Sequence, residues 1–278
     1  MSFTSSFSFP KLLIEWDHPK PWYQPTFSPE HGVIIILLGA VLTGASLAQA
    51  WTWQTSLACL SAFLAMQSEH PLTVQIKQRR SLKPRYIIWS FLYASWAGMI
   101  ALWLVYHHGI LVWIFLAGMA AMLINIAAVY RRKQKTVSTE IILFSAICLS
   151  TLFVYGTTAD KLNFQAFGLW ILNSLFFSSA IFTIKLRKVR TSSLHGPILY
   201  HSISIMIIGL LCLLGGLKLL TALTFAIAIL KLLIIIGIRD WYCNCRFEHI
   251  ARFETYFALS YIALTCLSIL PAHLPESV

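Results

Sequence analysis

Charge is missing from long stretches of this chain, and that absence decides what it can fold into. Apolar runs of about 20 residues, the length needed to cross a hydrocarbon core roughly 30 Å thick, alternate with short hydrophilic segments. Of the 278 residues, 58% are hydrophobic and 11% charged, a balance that soluble domains do not carry. Lipid offers no partner to an open strand's backbone groups, so spanning segments must be helices or a closed barrel. The strict in–out alternation of a membrane barrel is absent. The fold class is therefore all-α: a polytopic transmembrane helical bundle of about nine spans.

The hydropathy pattern predicts helices over 31–50, 53–68, 86–106, 109–130, 139–158, 164–184, 202–214, 217–238 and 255–270. The seventh and ninth are short. Pro71 is read as the stop of the second helix, leaving 69–85 as a hydrophilic loop. Residues 1–30 hold Pro10, Pro19, Pro21, Pro25 and Pro29 and read as an irregular tail. No basic start followed by an apolar stretch and a small-residue cleavage site is present, so no signal peptide is expected. The Ser-rich start lacks the Arg of a transit peptide. Residues 31–270 form the helical domain, and 271–278 a short tail.

The remaining charge is sorted. Lys77, Arg79, Arg80, Lys83 and Arg85 fall in the loop after helix 2, and Arg131, Arg132, Lys133 and Lys135 in the loop after helix 4. Lys185, Arg187, Lys188 and Arg190 follow helix 6, and Arg239, Arg246 and Arg252 follow helix 8. The intervening turns hold only Lys161 and Lys218. Basic loops face the cytoplasm, which places the N-terminus inside and, after nine spans, the C-terminus on the opposite side. The net charge of +11 is thus topological, with attraction to anionic lipid as a second use; nucleic acid is not an expected partner.

The candidate residues are few. His31 opens the first helix after Pro29-Glu30, either as part of a helix entry or facing a polar headgroup. Glu69 is the lone carboxylate of its loop, paired with a neighbouring cation or acting as a ligand. Lys231 lies inside the eighth span, where charge is costly and often functional, unless it snorkels to the cytoplasmic face. Arg79 and Arg80, with Arg187 and Arg190, are either topology signals or a basic wall for a phosphate-bearing ligand, since the guanidinium fork matches phosphate. Asn125 and Asn173 read as interhelical hydrogen bonds. The segments 239–242 and 248–254 read as interfacial, with ion pairs of their own. Cys59, Cys148, Cys212 and Cys266 read as packing residues within spans. The lone Cys243-x-Cys245 pair is too sparse for a metal site. No metal or cofactor is expected, and no nucleotide loop, hydrolase elbow or zinc-helix motif is present.

Ser28-Pro29-Glu30-His31-Gly32, followed by an apolar helix with Gly39 and Gly44, resembles the opening of YwiC-like membrane proteins, and the likeness extends over most of the chain after residue 28. More distantly, nine helices, an inside N-terminus and polar loops after helices 2 and 6 resemble the UbiA-type intramembrane prenyltransferases; Tyr130-Arg131-Arg132-Lys133 with Thr136 looks like their helix 4–5 junction. That likeness implies Asp-rich magnesium motifs after helices 2 and 6. Here the two places read Gln67-Ser68-Glu69-His70 and Lys185-Leu186-Arg187-Lys188-Val189-Arg190. Magnesium needs oxygen ligands, so prenyl transfer by the usual metal route is not expected and no catalytic residue is carried over.

Three functions remain open at this point. One is a UbiA-like bundle that binds an isoprenoid, quinone-type or other amphipathic membrane lipid, with or without enzyme activity. The second is an assembly or scaffold subunit with a membrane-protein partner. The third is a transporter handled by Lys231, Asn125 and Asn173. A bacterial inner membrane or a thylakoid membrane is the expected location.

Overall fold

The structure, a computed structural model, describes residues 23–28, 31–79, 81–187 and 193–270, apart from the His31 side chain. Arg80 and Arg190 lie outside the described residues, as do Pro29, Glu30, Lys188 and most of both tails. Among the described residues the regular structure is helical: α1 (His31–Ala48), α2 (Trp53–Gln78), α3 (Pro84–His107), α4 (Val112–Tyr130), α5 (Val137–Cys148) and α6 (Ser150–Ala159). Then follow α7 (Phe164–Lys185), α8 (His195–Leu213), α9 (Leu219–Leu223), α10 (Ala226–Gly237), α11 (Arg239–Asn244) and α12 (Phe247–Ile269). One 3-10 turn at Gly109–Leu111 leads into α4.

Among the described residues, six stretches are long and apolar enough to cross a membrane: α3, α4 with its 3-10 turn, α5 with α6, α7, α8, and α9 with α10. α1 is apolar but shorter, over Gly32–Ala48. The central hydrophobic runs predicted from sequence all fall on helices. The boundaries differ at three places, each where a helix carries polar residues beyond its apolar core. α8 starts at His195 and α12 at Phe247, so the seventh and ninth predicted segments are longer than expected.

The third difference is the end of α2, where Pro71 lies within the helix and the expected stop is overturned. Proline removes the amide hydrogen bond to residue i−4 and crowds that carbonyl. In an apolar medium the break is tolerated when neighbours satisfy the disturbed groups. The carbonyl that loses its donor here is that of Gln67; one residue further along the same turn, the Ser90 hydroxyl of α3 donates to the Ser68 carbonyl at 2.9 Å. Another such stitch joins Ser61 to the Ala97 carbonyl, also at 2.9 Å. α2 and α3 therefore pack as a long antiparallel pair. Residues 23–28 bind to this pair: the Ser28 amide donates to Gln67 Oε1 at 2.9 Å, and Arg85 donates to the carbonyls of Gln24 and Pro25 at 2.9 and 3.0 Å.

α1 and α7 form the centre. A side chain at Gly44 would place Cβ 2.5 Å from the Thr151 carbonyl oxygen, so α1 and α6 meet backbone to backbone, as small residues permit between membrane helices. One apolar cluster gathers α1, α2, α3, α4 and α6 around Val41, Leu104 and Val154. Another gathers α1, α7, α8, α10 and α12 around Phe176, Phe177 and Tyr261. Asn173 of α7 ties helices together: its Nδ2 donates to Thr43 and Thr151 at 2.8 and 3.0 Å, and the Tyr261 hydroxyl donates to its Oδ1 at 2.8 Å. Within its span α7 is 61% buried, whereas α4 is only 17% buried. α4 is thus a peripheral helix whose outer face is apolar, as lipid contact requires.

Candidate functional site

Two places bring polar side chains together inside the helical body, and they differ in kind. The first is a cavity of about 380 Å³ bounded by α2, α3, α4 and the α5–α6 rod. Much of its wall is small: Ala62 and Ala65 on α2, Ala94, Ala97 and Gly98 on α3, Gly118 on α4. A Cβ at Gly98 or Gly118 would meet nothing within 4 Å. These glycines are not required by tight packing; they leave room. Met66, Met119 and Met122 line the rest with flexible, polarisable thioethers. Along α4 the wall runs from Ile114 to Asn125, roughly 16 Å at 1.5 Å per residue. Met119, midway along α4, lines the cavity and is 48% exposed, so the cavity opens sideways at the middle of that helix.

Glu69 and Asn125 close one end. Asn125 Nδ2 donates to Glu69 Oε1 at 2.7 Å, and the Thr73 hydroxyl donates to the same oxygen at 3.3 Å. Glu69 lies four residues after Ala65, so α2 presents both on the one helical face that lines this space. Asn125 is the interhelical hydrogen bond expected from sequence, and its partner is the one carboxylate singled out in that region.

The second place is enclosed. Lys231 of α10 is 2% exposed and donates to Glu254 Oε2 of α12 at 2.9 Å and to Ser179 Oγ of α7 at 3.1 Å. Thr183 and Tyr242 donate to Glu254 Oε1 at 3.0 and 3.2 Å. The Lys231 ammonium also sits 5.6 Å from the Phe176 ring centre. Burial first, and then the Glu254 carboxylate, push the Tyr242 phenol up, so it remains a donor. The snorkelling reading of Lys231 is overturned, because a partner inside the bundle holds the ammonium there. The expected ion pairing of the 239–242 and 248–254 segments among themselves is corrected for Glu254, whose ion pair is with Lys231 of α10, although Tyr242 of the first segment also donates to it.

Of the arginines expected to form a basic wall, Arg79 and Arg187 are among the described residues, and each rests on a different backbone carbonyl. Arg79 donates to the Tyr130 carbonyl at the end of α4 and lies 5.0 Å from that tyrosine's ring centre. Arg187 donates to the Cys245 carbonyl at 2.6 Å and lies 5.9 Å from the Phe247 ring centre. Lys185 pairs with Glu140. Neither Arg79 nor Arg187 lines the cavity. Among the described candidate residues Glu69 and Asn125 line it, and Lys231 sits in the other network. No group of three His, Cys, Asp or Glu side chains is placed to hold a metal ion among the described residues.

Helices of this length and apolarity define a multi-pass integral membrane protein. Residues 27–155 match the family model described as YwiC-like protein. The family resemblance carried by Ser28–Gly32 thus holds over this stretch, which contains every residue lining the cavity and ends before the Lys231–Glu254 network. No curated protein and no solved structure matches the chain. No match supports the likeness to UbiA-type enzymes, which rests on helix number, loop placement and the stretch from Tyr130 to Thr136.

Proposed function

We propose that this protein holds an amphipathic lipid, of isoprenoid or quinone type, in the cavity between α2, α3, α4 and the α5–α6 rod. One observation carries the reading: a mostly apolar cavity that opens sideways at the middle of α4 and ends on a polar pair. Its volume, about 380 Å³, falls within the range of small-molecule sites. An apolar chain enters from the bilayer beside Met119, and its head reaches Glu69 and Asn125. α1, α2 and α12 complete nine crossings in this proposal, with the N-terminus and the Glu69 end on the cytoplasmic side. A transport role had Lys231 as its main handle, and the enclosure of Lys231 by Glu254, Ser179 and Phe176 favours the lipid reading over it.

The test is mass spectrometry of small molecules retained by the protein purified in mild detergent, beside Gly118→Leu. Leucine at 118 points into open space and fills it. Loss of one specific retained lipid in the variant is expected; the same lipid at the same amount in both proteins would overturn the proposal.

A further inference from the structure

We infer that the cavity measures the chain of its ligand: it takes one prenyl chain of farnesyl length and stops longer ones at a blind end. The inference rests on the lipid-binding reading and deepens it by naming the chain. One face of α4 runs the whole length of the space. Ile114, Gly118, Met122 and Asn125 recur at helical spacing, and all four line it. From Ile114 to Asn125 this stripe is roughly 16 Å long at 1.5 Å per residue, the extended length of about three isoprene units. Midway along, Gly118 and Gly98 keep the bore clear, since a Cβ at either would meet nothing within 4 Å.

The end away from Asn125 is closed by three helices. Ala101 of α3, Ile114 of α4 and Phe153 of α6 line the cavity there, and all are buried. About one turn beyond them lie Leu104, Leu111 and Gly156. That layer has no room: both leucines are fully buried, and a Cβ at Gly156 would fall 2.8 Å from Leu111 Cδ2. The contrast between Gly118, with open space before it, and Gly156, pressed against a neighbour, marks where the bore stops. A chain shorter than the bore leaves Ile114 and Phe153 facing a void, which forfeits dispersion contacts. A longer chain is turned back toward the side opening at Met119 and leaves the stripe. Close-packed side chains such as Leu104 and Leu111 do not yield to it without strain.

The experiment uses the full-length protein in lipid nanodiscs and three probes that share one head, geraniol, farnesol and geranylgeraniol, so that the comparison reads the chain alone. Affinities are measured by native mass spectrometry for the unaltered protein and for Ala101→Leu, which brings the blind end closer. Farnesol is expected to bind about tenfold tighter than either of the other two, and Ala101→Leu to move the preference to geraniol. Affinity that climbs steadily from geraniol to geranylgeraniol, or is equal for all three, would overturn the inference while leaving the cavity reading intact. So would an unchanged order of affinities in folded Ala101→Leu. Absence of binding by all three would overturn both. The unaltered protein decides the matter by itself, whether or not the variant folds.

Discussion

Glu69 and Glu254 are both carboxylates held among membrane helices, yet their surroundings are opposite. Glu254 receives Lys231, Thr183 and Tyr242, and Lys231 is capped in turn by Ser179 and Phe176. That network is closed; its donors and acceptors answer one another across α7, α10, α11 and α12. Glu69 receives Asn125 and Thr73 but stands on the wall of an open cavity lined by glycine and alanine. An intramembrane charge is thus not in itself a site. The charge in the denser half fastens helices, and the charge in the looser half has space in front of it.

The strongest way to break this comparison is to remove one partner of the closed network. Lys231→Met leaves Glu254 buried with no cation and should destabilise the protein by about 3–5 kcal/mol. Lys231→Met with Glu254→Gln should recover most of that loss, because Gln still accepts from Thr183 and Tyr242. Denaturant or thermal unfolding in detergent reads both; a double variant as unstable as the single would show that the pair does more than neutralise itself.

Next in size is Asn173→Ala, which leaves the buried Tyr261 hydroxyl without its acceptor and removes the donor to Thr43 and Thr151, at a cost of about 1–3 kcal/mol. Lipid retention should survive at temperatures where the variant is folded, since Asn173 does not touch the cavity. Gly118→Leu should do the reverse: retention falls roughly tenfold while the unfolding temperature of the ligand-free protein stays within a degree or two of the parent.

The smallest effect belongs to the exposed pair His108–Asp160, 2.7 Å apart with the Asp160 side chain 71% exposed. Asp160→Asn should cost about 0–1 kcal/mol and leave ligand retention unchanged. A larger effect would mean that the turn-side ends of α3 and α6 are coupled to the cavity.

Helix existence was legible in the sequence because a lipid-facing segment must be apolar along its length. Helix ends were not, because hydropathy marks where lipid contact stops and not where a helix stops. Pro71, His195 and Phe247 show this: each lies in a helix that runs past its apolar core into polar residues. Glu69 stood out as a solitary carboxylate, Asn125 as an interhelical hydrogen-bonding residue and Lys231 as a charge inside a span, but which residue each would meet was not visible. Their partners were hidden by distance, since Glu69 meets a residue 56 positions away and Lys231 one 23 positions away. The cavity itself left only the spacing of Ala94, Ala97, Gly98 and Ala101, a small-residue face that reads equally well as a close helix contact. A void is set by what neighbouring helices fail to fill, and no single segment states it.

The most direct test of the central claim is photo-crosslinking with a diazirine-bearing prenyl alcohol in nanodiscs, followed by peptide mapping and competition with excess unlabelled alcohol. The account predicts competed labels on the inner faces of 94–101 of α3 and 118–125 of α4, and their loss in Gly118→Leu. Labels spread over outward residues such as Phe91, Trp113 and Met206, unaffected by competitor, would contradict it.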